Sequence, residues 1–109
     1  MSGPEGTLQK QITQYLDAAL PRLNAIYEVN TRGKFSRRVA GSKNGAPDLY
    51  IVHEGLIYPI ELKAKGGVKS DAQTKRHAAY ERAGAPVEIW RSLSDAEQFV
   101  ASLGRKAAA

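Results

Sequence analysis

The chain has 109 residues, 42% of them apolar and 25% charged, with no cysteine and a formal net charge of +5. That length suits one folded domain, the composition argues against wholesale disorder, and the missing cysteines exclude disulfides and thiolate-held zinc. No apolar run approaches the roughly 20 residues of a membrane span, and MSGPEGTLQK lacks the charged-then-apolar plan of a signal peptide, so a single cytoplasmic domain over residues 1–109 is expected.

Residues 5–20, EGTLQKQITQYLDAAL, set Leu8, Ile12, Leu16 and Leu20 four apart, the spacing of one apolar stripe on a helix, and Pro21 ends it. LNAIYEVN reads as a short strand. TRGKFSRRVAGSKNGAP is a glycine-rich, basic connection, with a further strand expected around Phe35 to Val39. Asp48 to Val52 and Leu56 to Lys63 are rich in β-branched and aromatic residues, and Glu54 and Gly55 form the turn between them. In SDAQTKRHAAYERAG, Ser70 caps a second helix, Gln73 completes a capping box and Gly84 suits a left-handed exit. APVEIWR follows as a strand. SDAEQFVASLG closes the chain as a short helix with its own box from Ser94 to Glu97, and the terminal Ala107–Ala109 reads as an appended remnant outside the fold. The order predicts an α/β fold: a mixed β-sheet flanked by helices, the strand after the second helix running parallel to the one before it through a right-handed crossover.

The hairpin is where charge and burial collide. A two-residue turn at Glu54 and Gly55 sets His53 against Leu56, and counting back sets Asp48 against Glu61, with Lys63 on the same face. Like charges paired across strands destabilise a sheet unless something positive lies between them. A hard divalent cation with oxygen ligands would relieve the repulsion. Pro59, which cannot donate to a ladder, marks a place where a bulge could shift this register. The two histidines, His53 and His77, do not make an HExxH zinc motif, because Ile57 stands where the second histidine belongs, so oxygen ligands are the expectation.

Basic residues gather on either side of the hairpin. Arg32, Lys34, Arg37, Arg38 and Lys43 occupy one loop without an acid, and Lys63, Lys65 and Lys69 the other. Such clusters either contact phosphates, releasing counterions, or form a solvated surface.

The spacing "PD", twelve residues, "ELK" resembles the PD-(D/E)XK nuclease superfamily. The surroundings NGAPDLYI, YPIELKAKGG and SDAQTKRHAAYERAGAPVEIWRS resemble the virus-type replication-repair nuclease (VRR-NUC) family, and the similarity runs from the first helix to about Leu103. The resemblance implies a restriction-endonuclease-like core and site roles position by position. Asp48 and Glu61 match the metal-binding carboxylates, the backbone carbonyl of Leu62 a further ligand, Lys63 the catalytic lysine and Gln73 the glutamine of the following helix. Glu5 in "PEGT" matches a third acid, with Gln9 one turn on, though Glu28 on the first strand is a rival. It further implies Mg²⁺ or Mn²⁺ as cofactor, phosphodiester hydrolysis leaving a 5′-phosphate and a 3′-hydroxyl, and a solitary phage or bacterial module that acts as a homodimer on branched DNA, four-way (Holliday) junctions above all. The alternatives are a nicking nuclease or exonuclease in repair or restriction, or a DNA-binding module with a degenerate site.

Each residue also has a plainer reading. Asp48 can cap the turn after Pro47, Glu61 and Lys63 can form an ion pair, and Gln73 can serve only Ser70. Glu5 can complement the dipole of the first helix. His77 and Tyr80 follow Gln73 at helical spacing and either line the site or pack under the sheet, the latter being the expectation; Trp90 reads as core.

Overall fold

The stripe of Leu8, Ile12 and Leu16 does form one helical face, and the sheet rests on it. The computed structural model describes residues 3–30 and 45–108. They form α1 (Gly3–Ala19), a 3₁₀ turn (Leu20–Leu23), β1 (Ile26–Val29), β2 (Leu49–His53), β3 (Leu56–Leu62), α2 (Asp71–Arg82), β4 (Glu88–Trp90) and α3 (Leu93–Ala108). The sheet has the order β1-β2-β3-β4, antiparallel as far as β3 and parallel between β3 and β4. The strand expected around Phe35 to Val39 lies outside the described residues, as does the basic loop that contains it.

Pro21 does not stop the chain at once. It sits near the start of the 3₁₀ turn, where its missing N–H leaves no acceptor unsatisfied, and the turn ends at Asn24 in the left-handed region (φ 54°), whose amide donates to Pro21 O at 3.2 Å. The hairpin turn follows the sequence expectation. Glu54 and Gly55 both have positive φ, 54° and 78°, as a two-residue primed turn requires, and His53 pairs with Leu56.

Strand alternation then sorts the side chains. Leu49, Ile51, Ile60, Leu62 and Trp90 point to the face covered by α1 and α3, where they meet Leu8, Ile12, Leu16, Leu20, Ala96, Val100 and Leu103. Phe99 of α3 packs edge-on to Tyr58 (5.3 Å between ring centres) and tilted against Trp90 (5.6 Å). Each fully buried Leu or Ile here contributes about 1.5–3 kcal/mol. Glu28, Tyr50, Pro59 and Glu61 point to the other face, against α2.

The caps of α2 are as expected: Ser70 Oγ accepts from Gln73 N, Gln73 Oε1 accepts from Ser70 N, and Gly84 leaves with φ 89°. Those of α3 are not. The cap lies two residues earlier than Ser94: Ser92 Oγ accepts from Asp95 N at 3.3 Å and Asp95 Oδ2 accepts from Arg91 N at 2.7 Å, while Ser94 Oγ accepts from Gln98 Nε2. Both serine boxes fit the sequence; β4 ending at Trp90 decides in favour of Ser92. The helix also continues through Gly104 to Ala108, because Leu103, with no exposed surface, keeps this turn packed on the core. Among the described residues no helix is long and apolar enough to cross a membrane.

Candidate active site at the open end of the hairpin

Asp48 enters the site from the residue before β2. Its amide donates to Ile60 O at 2.9 Å, although Leu49 is the residue paired with Ile60, so the chain bends out of the regular ladder at Asp48. The ladder follows the register counted from the turn and ends at Leu49 and Ile60, one residue short of Asp48 and Glu61. Asp48 Oδ2 accepts a 2.7 Å hydrogen bond from Leu62 N, which holds the carboxylate on the backbone of the ELK strand. Asn30 fastens the same turn to the end of β1, its amide donating to Asp48 O at 2.8 Å and its side chain to Pro47 O at 3.0 Å.

Gly45 sets how closely this turn approaches α2. It is buried with φ 84°, and a Cβ there would lie 2.4 Å from Ala72 O and 2.7 Å from Gln73 N. Only glycine permits both the conformation and the contact. The Gly-Ala-Pro-Asp turn is thus packed on the first turn of α2, the turn that carries Gln73.

Glu61 is the centre of the site, with 2% of its surface exposed. Its Oε2 accepts from Gln73 Nε2 at 3.0 Å and stands 4.0 Å from Lys63 Nζ; its Oε1 is 3.5 Å from His77 Nε2. Lys63 is buried beside it, tied to β4 through Lys63 N donating to Trp90 O at 3.0 Å. Burying a carboxylate is costly unless it is held by charge and hydrogen bonds. Among the holding groups, Lys63 follows directly on β3, and Gln73 and His77 come from α2. Gln73 serves both readings of it at once, since Oε1 caps the helix and Nε2 holds Glu61. Burial pushes the His77 imidazole below its ordinary pKa, the Lys69 and Lys63 ammonium groups push it the same way, and Asp48 opposes them.

Asp48, Glu61, Lys63 and Gln73 are therefore brought together. Glu5 is half-buried in the first turn of α1, and Glu28 is exposed opposite Tyr50. Among the described residues no three acidic, histidine or cysteine side chains are grouped so as to hold a metal ion, so neither acid joins Asp48 and Glu61 in such a cluster. Arg32, Lys34, Arg37, Arg38 and Lys43 lie outside the described residues. Lys65 is exposed and Lys69 half-buried, on a loop whose carbonyls at Ala64 and Gly67 accept from Arg91 Nη1 at 3.3 and 2.8 Å. The sequence reading missed this arginine, and it expected His77 to pack under the sheet rather than lie against Glu61. The signal for His77 was its place one helical turn after Gln73.

Two carboxylates, Asp48 and Glu61, lie here with a lysine beside them. Hard oxygen donors of this kind suit Mg²⁺ or Mn²⁺.

Two solved structures are similar to the chain across most of its length. One, a "VRR_NUC domain", superposes with a TM-score of 0.67 at 22% sequence identity, covering 91% of this chain and 96% of its own. The other, a "VRR_NUC domain protein", gives 0.69 at 18% identity, covering 94% and 89%. No protein-family model matches the chain, and no curated protein matches it significantly. The chain has the VRR_NUC domain fold, the mixed-sheet architecture that the motif "PD", twelve residues, "ELK" implies.

Proposed function

We propose that the chain is a metal-dependent DNA nuclease of VRR-NUC type, a phage or bacterial enzyme of the cytoplasm that works as a homodimer and cuts four-way junctions. The observation that carries this reading is the buried Glu61 carboxylate, held by Gln73 and flanked by Lys63 and His77, beside an Asp48 carboxylate fixed by Leu62 N. A surface ion pair needs none of that support.

Asp48, Glu61 and the Leu62 carbonyl would hold Mg²⁺ or Mn²⁺, whereas Glu5, expected as a third acid, is not grouped with them. When bound, the ion supplies charge neutralisation at the scissile phosphate and a more acidic water. The protein's own groups do the rest. Leu62 N keeps Asp48 in one orientation and Gln73 keeps Glu61 in one, so neither must be ordered during the reaction. Lys63, shielded from water, places its ammonium where charge develops on the phosphoryl oxygens, where removing such a donor costs about 10²–10³ in rate. Lys65 and Lys69, with Arg32, Lys34, Arg37, Arg38 and Lys43, contact the neighbouring phosphates.

One site cuts one strand, whereas resolving a four-way junction takes two incisions. A two-fold homodimer presents two sites to equivalent phosphates. Labelled single-stranded, duplex, flap, fork and four-way substrates incubated with Mg²⁺ or Mn²⁺ test the proposal. Paired incisions in the four-way substrate by a dimer are expected. Equal cutting of simple duplexes, or a monomer in light scattering both free and DNA-bound, would remove the junction and dimer readings; tight DNA binding with no cleavage of any substrate would favour a degenerate binding module.

A further inference from the structure

Gln73 accounts for one oxygen of the buried carboxylate, and the other faces a residue to which the motif gives no role. His77 has 5% of its surface exposed, and its Nε2 stands 3.5 Å from Glu61 Oε1. Among the described residues neither ring nitrogen of His77 makes a hydrogen bond. A buried polar group left without a partner costs roughly 1–3 kcal/mol, so a side chain that merely filled space here would be better apolar. The separation exceeds the usual N–H···O range of about 2.7–3.2 Å by only a few tenths of an ångström. His77 lies one turn beyond Gln73 on the same face of α2. Together they bracket the carboxylate, Gln73 at Oε2 and His77 at Oε1.

We propose that His77 is a positioning residue whose Nε2–H steadies Glu61 Oε1 while Gln73 holds Oε2, fixing the plane of the carboxylate that takes the cation. This rests on the reading of the site as a cation centre. Outer groups that orient a ligating carboxylate matter to metal affinity about as strongly as 10–100-fold when removed. Two donors from one helix face leave Glu61 only its rotation about the remaining torsions to lose, so His77 acts through Glu61 and need not touch the ion or the DNA.

The test has two arms. In the metal-free, unmodified chain, nitrogen-15 NMR of labelled histidine should show the His77 proton on Nε2; an unprotonated Nε2 would overturn the proposal without any variant. Calorimetric titration with Mn²⁺ should then show binding to the parent, loss in Asp48→Asn, binding about tenfold weaker in folded His77→Phe, and recovery of most of it in His77→Gln, which restores an N–H donor. Unchanged Mn²⁺ affinity in folded His77→Phe, an equal loss in both His77 variants, or imidazole-nitrogen coupling in the pulsed electron paramagnetic resonance of bound Mn²⁺ would each overturn it. If His77→Phe does not fold, the proton position and the His77→Gln affinity decide. A parent that binds no Mn²⁺ takes down the cation-centre reading and this inference with it, whereas loss in Asp48→Asn with no change in His77→Phe removes this inference alone.

Discussion

The two faces of one sheet are built on different terms. Toward α1 and α3, Leu49, Ile51, Ile60, Leu62 and Trp90 meet an apolar stripe, and many interchangeable contacts share the work. Toward α2, the residues between them on the same strands put a carboxylate and a lysine into a buried setting, where each group depends on one or two named partners. The difference teaches that the core face tolerates change by degrees, while the site face is specified atom by atom. It also explains why adjacent residues of Glu-Leu-Lys serve opposite ends: Leu62 points into the core and its backbone amide orients Asp48.

Breaking the core face should cost stability and leave the site's chemistry in the molecules that remain folded. Leu16→Ala, at a position with no exposed surface, is expected to lower unfolding free energy by about 2–5 kcal/mol in chemical denaturation. Cleavage per folded molecule should stay near the parent level. Breaking the site face should do the reverse. Lys63→Met keeps the buried stem and removes the charge, and turnover should fall about 10²–10³-fold with Mn²⁺ binding retained. A variant at parental turnover would leave Lys63 only its ion pair with Glu61.

Gly45 joins the two kinds of structure and should affect both. Gly45→Ala sets a methyl against Ala72 O at positive φ, and roughly 2 kcal/mol of stability should be lost together with some Mn²⁺ affinity, because Gln73 follows Ala72. Loss of stability with wholly parental metal binding would show that the turn and Gln73 are not mechanically linked.

How far the sequence foretold this arrangement depends on the range of the interactions. The apolar stripe of α1, the Glu54-Gly55 turn and the Ser70–Gln73 box are set by residues a few positions apart, and all three stand as expected. The register holds from His53 to Leu49, where the ladder ends, and the bend that turns the Asp48 amide to Ile60 O is settled by backbone hydrogen bonds that no local pattern displays. Of two overlapping serine boxes, the end of β4 chose the one at Ser92. Gly45 against Ala72, Arg91 on the Ala64–Gly67 loop and His77 against Glu61 all join distant parts of the chain. Periodicity could place His77 on the Gln73 face of its helix, but only packing could bring Glu61 beneath it.

The smallest expected effect lies at the far side of the molecule. Tyr27 donates a 2.7 Å hydrogen bond to Asp17 Oδ1, and burial, that hydrogen bond and the Asp17 charge push its pKa up to about 12 from 10.0. The folded state thus holds this proton more tightly than the unfolded chain. Its contribution to stability is present in full below pH 10 and is lost as pH rises toward 12. Asp17→Asn should bring the late phase of the ultraviolet tyrosine titration to lower pH, without reaching the ordinary value because burial remains. An unmoved late phase would assign it to another tyrosine.

The central claim, that the buried Glu61 carboxylate belongs to a cation-dependent phosphodiesterase site, is tested most directly by cleavage of a labelled four-way junction by the parent and by Glu61→Gln, each with Mg²⁺, with Mn²⁺ and with a chelator. The account predicts incision by the parent only when a divalent ion is present, none by Glu61→Gln under any condition, and thermal midpoints for the two proteins within a few degrees of each other. Incision by a folded Glu61→Gln at the parental rate, or by the parent in chelator, would contradict it.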